Sequence, residues 1–290
     1  MQWQSTFHIA NICFEIRSFT DLCRDEMQSI VSLYEPTTAT PDTVFTFEKQ
    51  GETFTLSADG EILWQSQDSR DFPPAFEIHL YRLATEQMAP RLLSLHAAAV
   101  CVHDRVCIFA GVSGAGKSSI CTAALLKGAG YLTDEFTLLD SQGMVHPFPR
   151  PLQWDSIDHP AFTQSDLLKG GLFSKSHYNF PDPNGNIITS HLWLPARVQH
   201  QALQTAWVIL PQYDAEAPTA ELLPLRRSEA LMQLPQHLHQ QMSPAESLKE
   251  LNRRIPNTAR FFSVRFSDVH AAWEAVSQTI SNQTAKLTPA

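Results

Sequence analysis

The stretch Gly111-Val112-Ser113-Gly114-Ala115-Gly116-Lys117-Ser118 meets the pattern G-x-x-x-x-G-K-[ST] at every fixed position. Before it, Arg105-Val106-Cys107-Ile108-Phe109-Ala110 is short, apolar and rich in β-branched and aromatic residues, and reads as a buried strand. After it, Ser119 to Lys127 carries apolar residues at helical spacing and stops at Gly128, which reads as a helix. Strand, glycine loop and helix in that order are the context the pattern requires. The glycines let backbone N–H groups turn inward around phosphate oxygens, and the helix N-terminus adds the positive end of its dipole. Gly111, Ser113, Gly114, Ala115, Gly116, Lys117, Ser118 and Ser119 are thus expected to hold the phosphates of ATP. In such a loop Lys117 reaches the outer phosphates and the Ser118 hydroxyl binds Mg²⁺.

Downstream, Gly130-Tyr131-Leu132-Thr133-Asp134-Glu135 brings an acidic pair close behind Lys117, at the expected end of the next strand. Adenylate-type kinases, GTPases and transporter ATPases place their metal-binding Asp much further along, and the chain has no N-K-x-D or L-S-G-G-Q motif. The strand after the loop helix should therefore return beside the loop in a tight sheet. Phosphoryl transfer to a hydroxyl needs a carboxylate to orient the nucleophile and oxygen ligands to hold Mg²⁺. In an extended chain Asp134 and Glu135 point to opposite faces, so one serves catalysis and the other the metal or its surroundings. Upstream, His96 stands alone in the small apolar run Leu95 to Val102. Such a histidine is either a satisfied core residue or a partner for phosphate or for Asp134.

Leu95-His96, the glycine loop and Gly130 to Glu135, in this order and spacing, resemble the catalytic core of HPr kinase/phosphorylase. The likeness covers roughly residues 95–140, with a weaker continuation through Val145-His146-Pro147-Phe148-Pro149-Arg150-Pro151. It implies an α/β fold with a phosphate-loop kinase domain of the HPr kinase/phosphoenolpyruvate carboxykinase type. It also implies that Asp134 is the general base toward a substrate hydroxyl and that His96 assists it. Glu135 stands where the family carries a second acidic residue and would share the Mg²⁺ with Ser118. Where the family carries an E-x-R-G-x-G-type signature, this chain has Leu152-Gln153-Trp154-Asp155-Ser156-Ile157. That departure, and a β-rich N-terminal lobe unlike the family's, shift the expected acceptor away from HPr, to a Ser/Thr hydroxyl of another peptide or protein or to a small-molecule hydroxyl. The resemblance permits a homo-oligomer. Arg150 and Lys175 are the candidates for further positive charge on the transferring phosphoryl group. The competing readings are an ATPase that drives another step and a nucleotide-binding regulator without turnover.

Outward from this core, residues 1–75 read as a small β-rich lobe, a meander of antiparallel strands. Its strands are Phe7 to Ile16, Val44 to Glu48, Thr53 to Leu56 and Ile62 to Trp64. Pro73-Pro74 marks its end, and residues 76–290 form the catalytic domain. A helix over 75–93 leads into the strand from Leu95, with His103-Asp104 as the hairpin turn. Residues 152–200, rich in Pro, Gly, His and Asn, read as an irregular substrate-facing loop. Further on come strands at 205–210, 221–225 and 261–266, and helices starting after Ser228, at Pro244 and after Asp268. His159, His177 and His191 match no metal-ligand spacing.

The whole chain agrees with this reading. It has 290 residues, is 43% hydrophobic and carries a net charge of −9 without a basic stripe, which argues against nucleic acid as a partner. No apolar run reaches membrane-span length, so a cytoplasmic, soluble enzyme is expected. The 5 cysteines lack C-x-x-C spacing and read as reduced thiols.

Overall fold

The computed structural model describes residues 1–154 and 159–285. Asp155, Ser156 and Ile157, from the stretch Leu152 to Ile157 singled out in the sequence, lie outside the described residues. In chain order the elements begin with strands β1 (Trp3–Ile9) and β2 (Ile12–Ser18), helix α1 (Arg24–Val31) and strand β3 (Glu35–Pro36). Next come β4 (Thr43–Gln50), β5 (Thr53–Ala58), β6 (Glu61–Ser66), α2 (Phe72–Met88), β7 (Leu93–Val102), β8 (Arg105–Ala110) and α3 (Lys117–Leu126). The middle of the chain holds β9 (Gly130–Thr133), β10 (Phe136–Leu139), β11 (Met144–His146), α4 (Gln164–Leu168), β12 (Phe173–Pro181) and β13 (Ile187–Pro195). The last third holds β14 (Leu203–Tyr213), β15 (Glu221–Leu225), α5 (Arg227–Gln233), α6 (Pro244–Arg254), β16 (Arg260–Phe266) and α7 (Val269–Ala285). The protein is a mixed α/β chain.

Two compact units share the chain. The first comprises Met1–Pro90, Arg150–His159 and Leu168–Ala196, and the second Arg91–Pro149, Pro160–Leu167 and Arg197–Ala290. The boundary expected at residue 75 falls inside α2. That helix starts at Phe72 because Pro73 and Pro74 occupy its first turn, where an N–H is not needed and the proline φ is already helical.

In the first unit, a six-stranded sheet runs β3-β1-β2-β4-β5-β6. The expected single strand over residues 7–16 is a hairpin instead: Ala10 adopts φ 52°, and Ile9 pairs with Ile12. The lobe is not a simple meander, since β2 and β4 are parallel. Parallel neighbours require a crossover, which the segment carrying α1 supplies. Residues 173–195, expected to be irregular, form the long antiparallel hairpin β12–β13. Its polar outer positions hide the alternation, and a buried carboxylate fixes its inner face. Glu77 on α2, only 5% exposed, accepts hydrogen bonds from Tyr81 Oη (2.8 Å), Tyr178 Oη (2.7 Å) and Gln153 Nε2 (3.1 Å).

In the second unit the main path runs β11-β10-β7-β8-β14-β16-β15, with β9 also on β7. β11 pairs with β14 as well as with β10, so β10, β7, β8, β14 and β11 close a ring. β7 and β8 form the expected hairpin, and His103 and Asp104 turn it with φ of 50° and 56°. β8, β14 and β16 are parallel neighbours. On one face Val106, Ile108, Val208, Leu210 and Phe261 pack with Leu231 of α5 and Leu251 of α6. On the other, Phe109 meets Trp273 of α7 edge-on, and Trp207 Nε1 donates to Gln283 Oε1 at 2.9 Å. The helix expected after Ser228 begins two residues earlier, with Glu229 Oε2 accepting from Arg226 N at 2.9 Å. Asp268 does cap α7, accepting from His270 N at 2.7 Å. All five cysteines are free thiols, and Cys13, Cys107 and Cys121 are buried.

Candidate functional site

The glycine loop lies in the second unit and joins the end of β8 to the start of α3. Gly114 and Gly116 take φ of 78° and 93°, values that side-chain-bearing residues rarely adopt. The need at Gly116 is doubled, because a Cβ there would stand 2.6 Å from Cζ of the Phe266 ring. With that conformation Gly116 caps α3, and its carbonyl accepts from Ile120 N at 2.9 Å. Val112, Ser113 and Gly114 are exposed, whereas Gly111, Ala115 and Lys117 are buried and Ser118 and Ser119 half-buried.

Lys117 is 7% exposed, and its Nζ donates to Gly111 O at 2.9 Å and Val112 O at 3.2 Å. Burial pushes its pKa down, while the nearby charges of Asp134 and Glu135 pull it back up. The acidic pair therefore stands close to the loop lysine. It follows the last residue of β9 directly, as the sequence suggests, in the two-residue break that separates β9 from β10. Thr133 Oγ1 fixes this break by accepting from Phe136 N at 3.0 Å and Glu135 N at 3.3 Å. Glu135 O in turn accepts from Ala97 N at 3.2 Å. Both strands flanking the break pair with β7, which separates them from β8, so the return is one strand further out than expected. Asp134 is half-buried, and its Oδ1 is screened from solvent.

His96 lies on β7 opposite Phe136. It is not a sealed core residue. Its Nε2 stands 3.4 Å from Glu135 Oε1, with about a third of each side chain exposed. The acidic pair and the histidine thus form one cluster with the loop lysine.

Two residues that the sequence reading passed over join it. After α5 a short 3₁₀ turn, Pro235–His237, leads into a segment that lies along β7. Leu238 bridges to Leu95, His239 N donates to Ser94 O at 3.0 Å, and Gln240 Oε1 accepts from Ser94 N at 2.9 Å. His239 Nδ1 then meets Ser94 Oγ at 2.8 Å, and its ring stacks on His96 with centroids 5.8 Å apart. His237 is 6% exposed, and Lys117 and His96 are the charged groups that act on it. Burial, then Lys117 and His96, hold its pKa below the ordinary histidine value; burial and His96 do the same for His239, against an opposing pull from Glu135. The one sequence signal was the His-x-His spacing after a proline, which puts two imidazoles on one side of an extended chain.

Arg150 and Lys175 belong to the first unit. Arg150 stacks over the Tyr81 ring and donates to Gln153 Oε1 at 2.9 Å, and Lys175 lies over the Trp193 ring. His177 and His191 face each other across the β12–β13 hairpin, their ring centroids 6.5 Å apart. Among the described residues, no group of three or more His, Cys, Asp or Glu side chains is placed to hold a metal ion. A hollow of about 580 Å³ involving Lys127, Gly128, His270 and Trp273 lies at the far end of α3 from the glycine loop. A helix C-terminus there presents carbonyl oxygens, a poor setting for phosphate. Among the described residues, no helix is long and apolar enough to cross a membrane.

No protein-family model matches the chain, and no curated protein sequence matches it either.

Proposed function

We propose that the protein is an ATP- and Mg²⁺-dependent kinase that transfers the γ-phosphoryl group to a hydroxyl of a peptide, a protein or a small molecule. The proposed fold kinship is with the HPr kinase/phosphorylase and phosphoenolpyruvate carboxykinase group, of which this would be a diverged member. The observation that carries the reading is the convergence of Lys117, at the N-terminus of α3, with the Asp134–Glu135 pair, whose Glu135 O accepts from Ala97 N opposite Ala110, the residue before the loop. A phosphate loop alone would imply only nucleotide binding. A carboxylate beside it adds what transfer to a hydroxyl requires, a group to orient the nucleophile and receive its proton.

In this reading the exposed N–H groups of the 112–114 stretch and the α3 N-terminus receive the phosphates, and Lys117 exchanges its carbonyl partners for phosphate oxygens. Mg²⁺ prefers oxygen ligands, keeps several waters and binds through one or two protein groups plus the phosphates. The Ser118 hydroxyl, half-buried in the first turn of α3, and the Glu135 carboxylate fit that demand. Bound there, Mg²⁺ would neutralise charge on the phosphates. Asp134 accepts the proton of the acceptor hydroxyl. His96, through its approach to Glu135, orients the acidic pair.

The test is mass spectrometry of the protein with ATP–Mg²⁺ and a pool of hydroxyl acceptors, including peptides and free amino acids. An acceptor heavier by one phosphoryl group is the expected result. ADP with no modified acceptor would replace the kinase by an ATPase. ATP binding without any ADP would replace it by a nucleotide sensor.

A further inference from the structure

An exposed aromatic ring is anchored to the glycine loop from the neighbouring strand. β14 runs parallel to β8 and ends at Tyr213. Tyr213 N donates to Ala115 O at 3.2 Å, so the strand end is bonded directly to the loop. Its ring meets the Phe266 ring edge-on, with centroids 5.9 Å apart and planes at 70°. The same Phe266 ring lies against Gly116, where a Cβ would stand 2.6 Å from its Cζ. Tyr213 and Phe266 are register partners at the ends of β14 and β16. Phe266 is 1% exposed and Tyr213 52%. One buried ring is thus the floor for both the loop and the tyrosine.

Scattered exposed aromatics are ordinary on protein surfaces, but this one is held in place. The next residue, Asp214, donates its N–H to Phe266 O at 2.9 Å, and its Oδ2 accepts from Arg265 Nε at 2.7 Å. Asp214 O accepts from Ala217 N at 3.0 Å, and Ala217 O from Ser267 Oγ at 2.8 Å. The turn after β14 is therefore tied to the end of β16, and the charged pair beside the ring is closed on itself. The carboxyl ends of the parallel strands β8, β14 and β16 meet here, the edge at which such sheets bind ligands. On the opposite side of β8 lies β7, which pairs with β9 and β10, the strands that bracket Asp134 and Glu135. A nucleotide held by the loop thus has the acidic pair on one flank and the Tyr213 ring on the other. Its reacting phosphate belongs to the first flank and its base to the second.

We propose that Tyr213 is the nucleobase platform of this site: the base of the bound nucleotide stacks on its exposed ring while the glycine loop holds the phosphates. This rests on the loop being a nucleotide site. Every base has a π-face, and losing one base–aromatic stack lowers affinity about tenfold or more. The contact is made by the ring face, so phenylalanine can replace tyrosine, whereas alanine cannot. A bare ring face offers no fixed pattern of donors and acceptors. It selects a ligand with a base over one without, and not one base over another.

Calorimetric titration of the full chain with ADP–Mg²⁺ and with methyl diphosphate–Mg²⁺, which carries the phosphates without sugar or base, separates the two halves of the site. The wild-type chain should bind ADP about tenfold or more tighter than methyl diphosphate. Tyr213→Ala should remove most of that preference and leave methyl diphosphate binding where it was, and Tyr213→Phe should keep the preference. Equal affinity of the wild-type chain for the two ligands, or a preference undiminished in Tyr213→Ala, overturns the platform and leaves the phosphate loop standing. A loss in Tyr213→Ala shared equally by both ligands also overturns it. Binding of neither ligand to the wild-type chain overturns the nucleotide site itself. The wild-type comparison needs no variant, so a folding defect in Tyr213→Ala cannot mask the answer.

Discussion

The ammonium group of Lys117 is hydrogen-bonded to the carbonyl oxygen of Gly111 at 2.9 Å. The loop's own backbone thus occupies the hydrogen-bond donors that the loop offers a ligand. Phosphate binding should exchange these neutral carbonyl acceptors for anionic oxygens, in bonds worth about 1.5–3 kcal/mol each. Lys117→Ala should therefore weaken ATP binding by at least about tenfold and lower turnover with it, as read by calorimetry and ADP formation. Folding stability should hardly change, because the variant removes a buried charge together with its desolvation penalty.

Asp134→Asn separates binding from chemistry. The amide keeps the shape of the turn between β9 and β10, whose anchors are the Thr133 hydroxyl and the backbone. ATP affinity should stay within about threefold, while phosphoryl transfer falls by about 10²–10⁴, the usual worth of a positioned general base. Undiminished transfer in this variant would remove Asp134 from the mechanism.

At Gly116 two penalties coincide, a φ of 93° and the Phe266 ring at 2.6 Å from an added Cβ. Gly116→Ala should cost about 1–3 kcal/mol of stability. Urea denaturation monitored by tryptophan fluorescence would measure it. Shortening Phe266 to Leu should recover only the steric part.

Glu77 serves three donors from inside the first unit. Glu77→Ala would leave two buried tyrosine hydroxyls and the Gln153 amide unsatisfied, at about 1–3 kcal/mol each for those that water cannot reach. Tyr178→Phe removes a single donor and should cost about 1 kcal/mol. Comparing the two denaturation midpoints tests whether the carboxylate holds the hairpin to α2.

Asp140 carries a pH signature. Burial pushes its carboxyl up, but hydrogen bonds from His146 and from the Met144 and Gln142 N–H groups outweigh that, and the net pKa lies below 3.8. A depressed pKa contributes stability above the unfolded value that is lost as pH falls through the folded one. Wild-type stability should therefore drop below pH 3.8 more steeply than that of Asp140→Asn, measured as melting temperature against pH.

The elements legible in the sequence are those whose cause is local. The β7–β8 hairpin follows from its apolar runs and the His103–Asp104 turn, and α3 follows from the glycine loop and its stop at Gly128. Local cause was absent at Ala10, which turns the first hairpin with neither glycine nor proline at that position. It was absent again along β12–β13, where Tyr178 gains its meaning from Glu77, far away in sequence. The candidate site divides in the same way. Lys117, Asp134, Glu135 and His96 announce themselves by motif and spacing. His237 and His239 acquire a role only when Leu238 reaches Leu95, a contact that no local pattern encodes.

The interleaving of the two units has a consequence for inheritance. Between β11 and β14 the chain leaves the second unit, contributes Arg150–His159 and Leu168–Ala196 to the first, and returns. A gene fragment starting at residue 91 would carry Tyr178 and Gln153 without Glu77, and one ending at residue 90 would carry Glu77 without either donor. Neither unit can be cut out by a single splice and passed on as a module. Recombination that separates them should be counter-selected, so the glycine loop and the amino-terminal sheet are bound to travel through evolution as one heritable block.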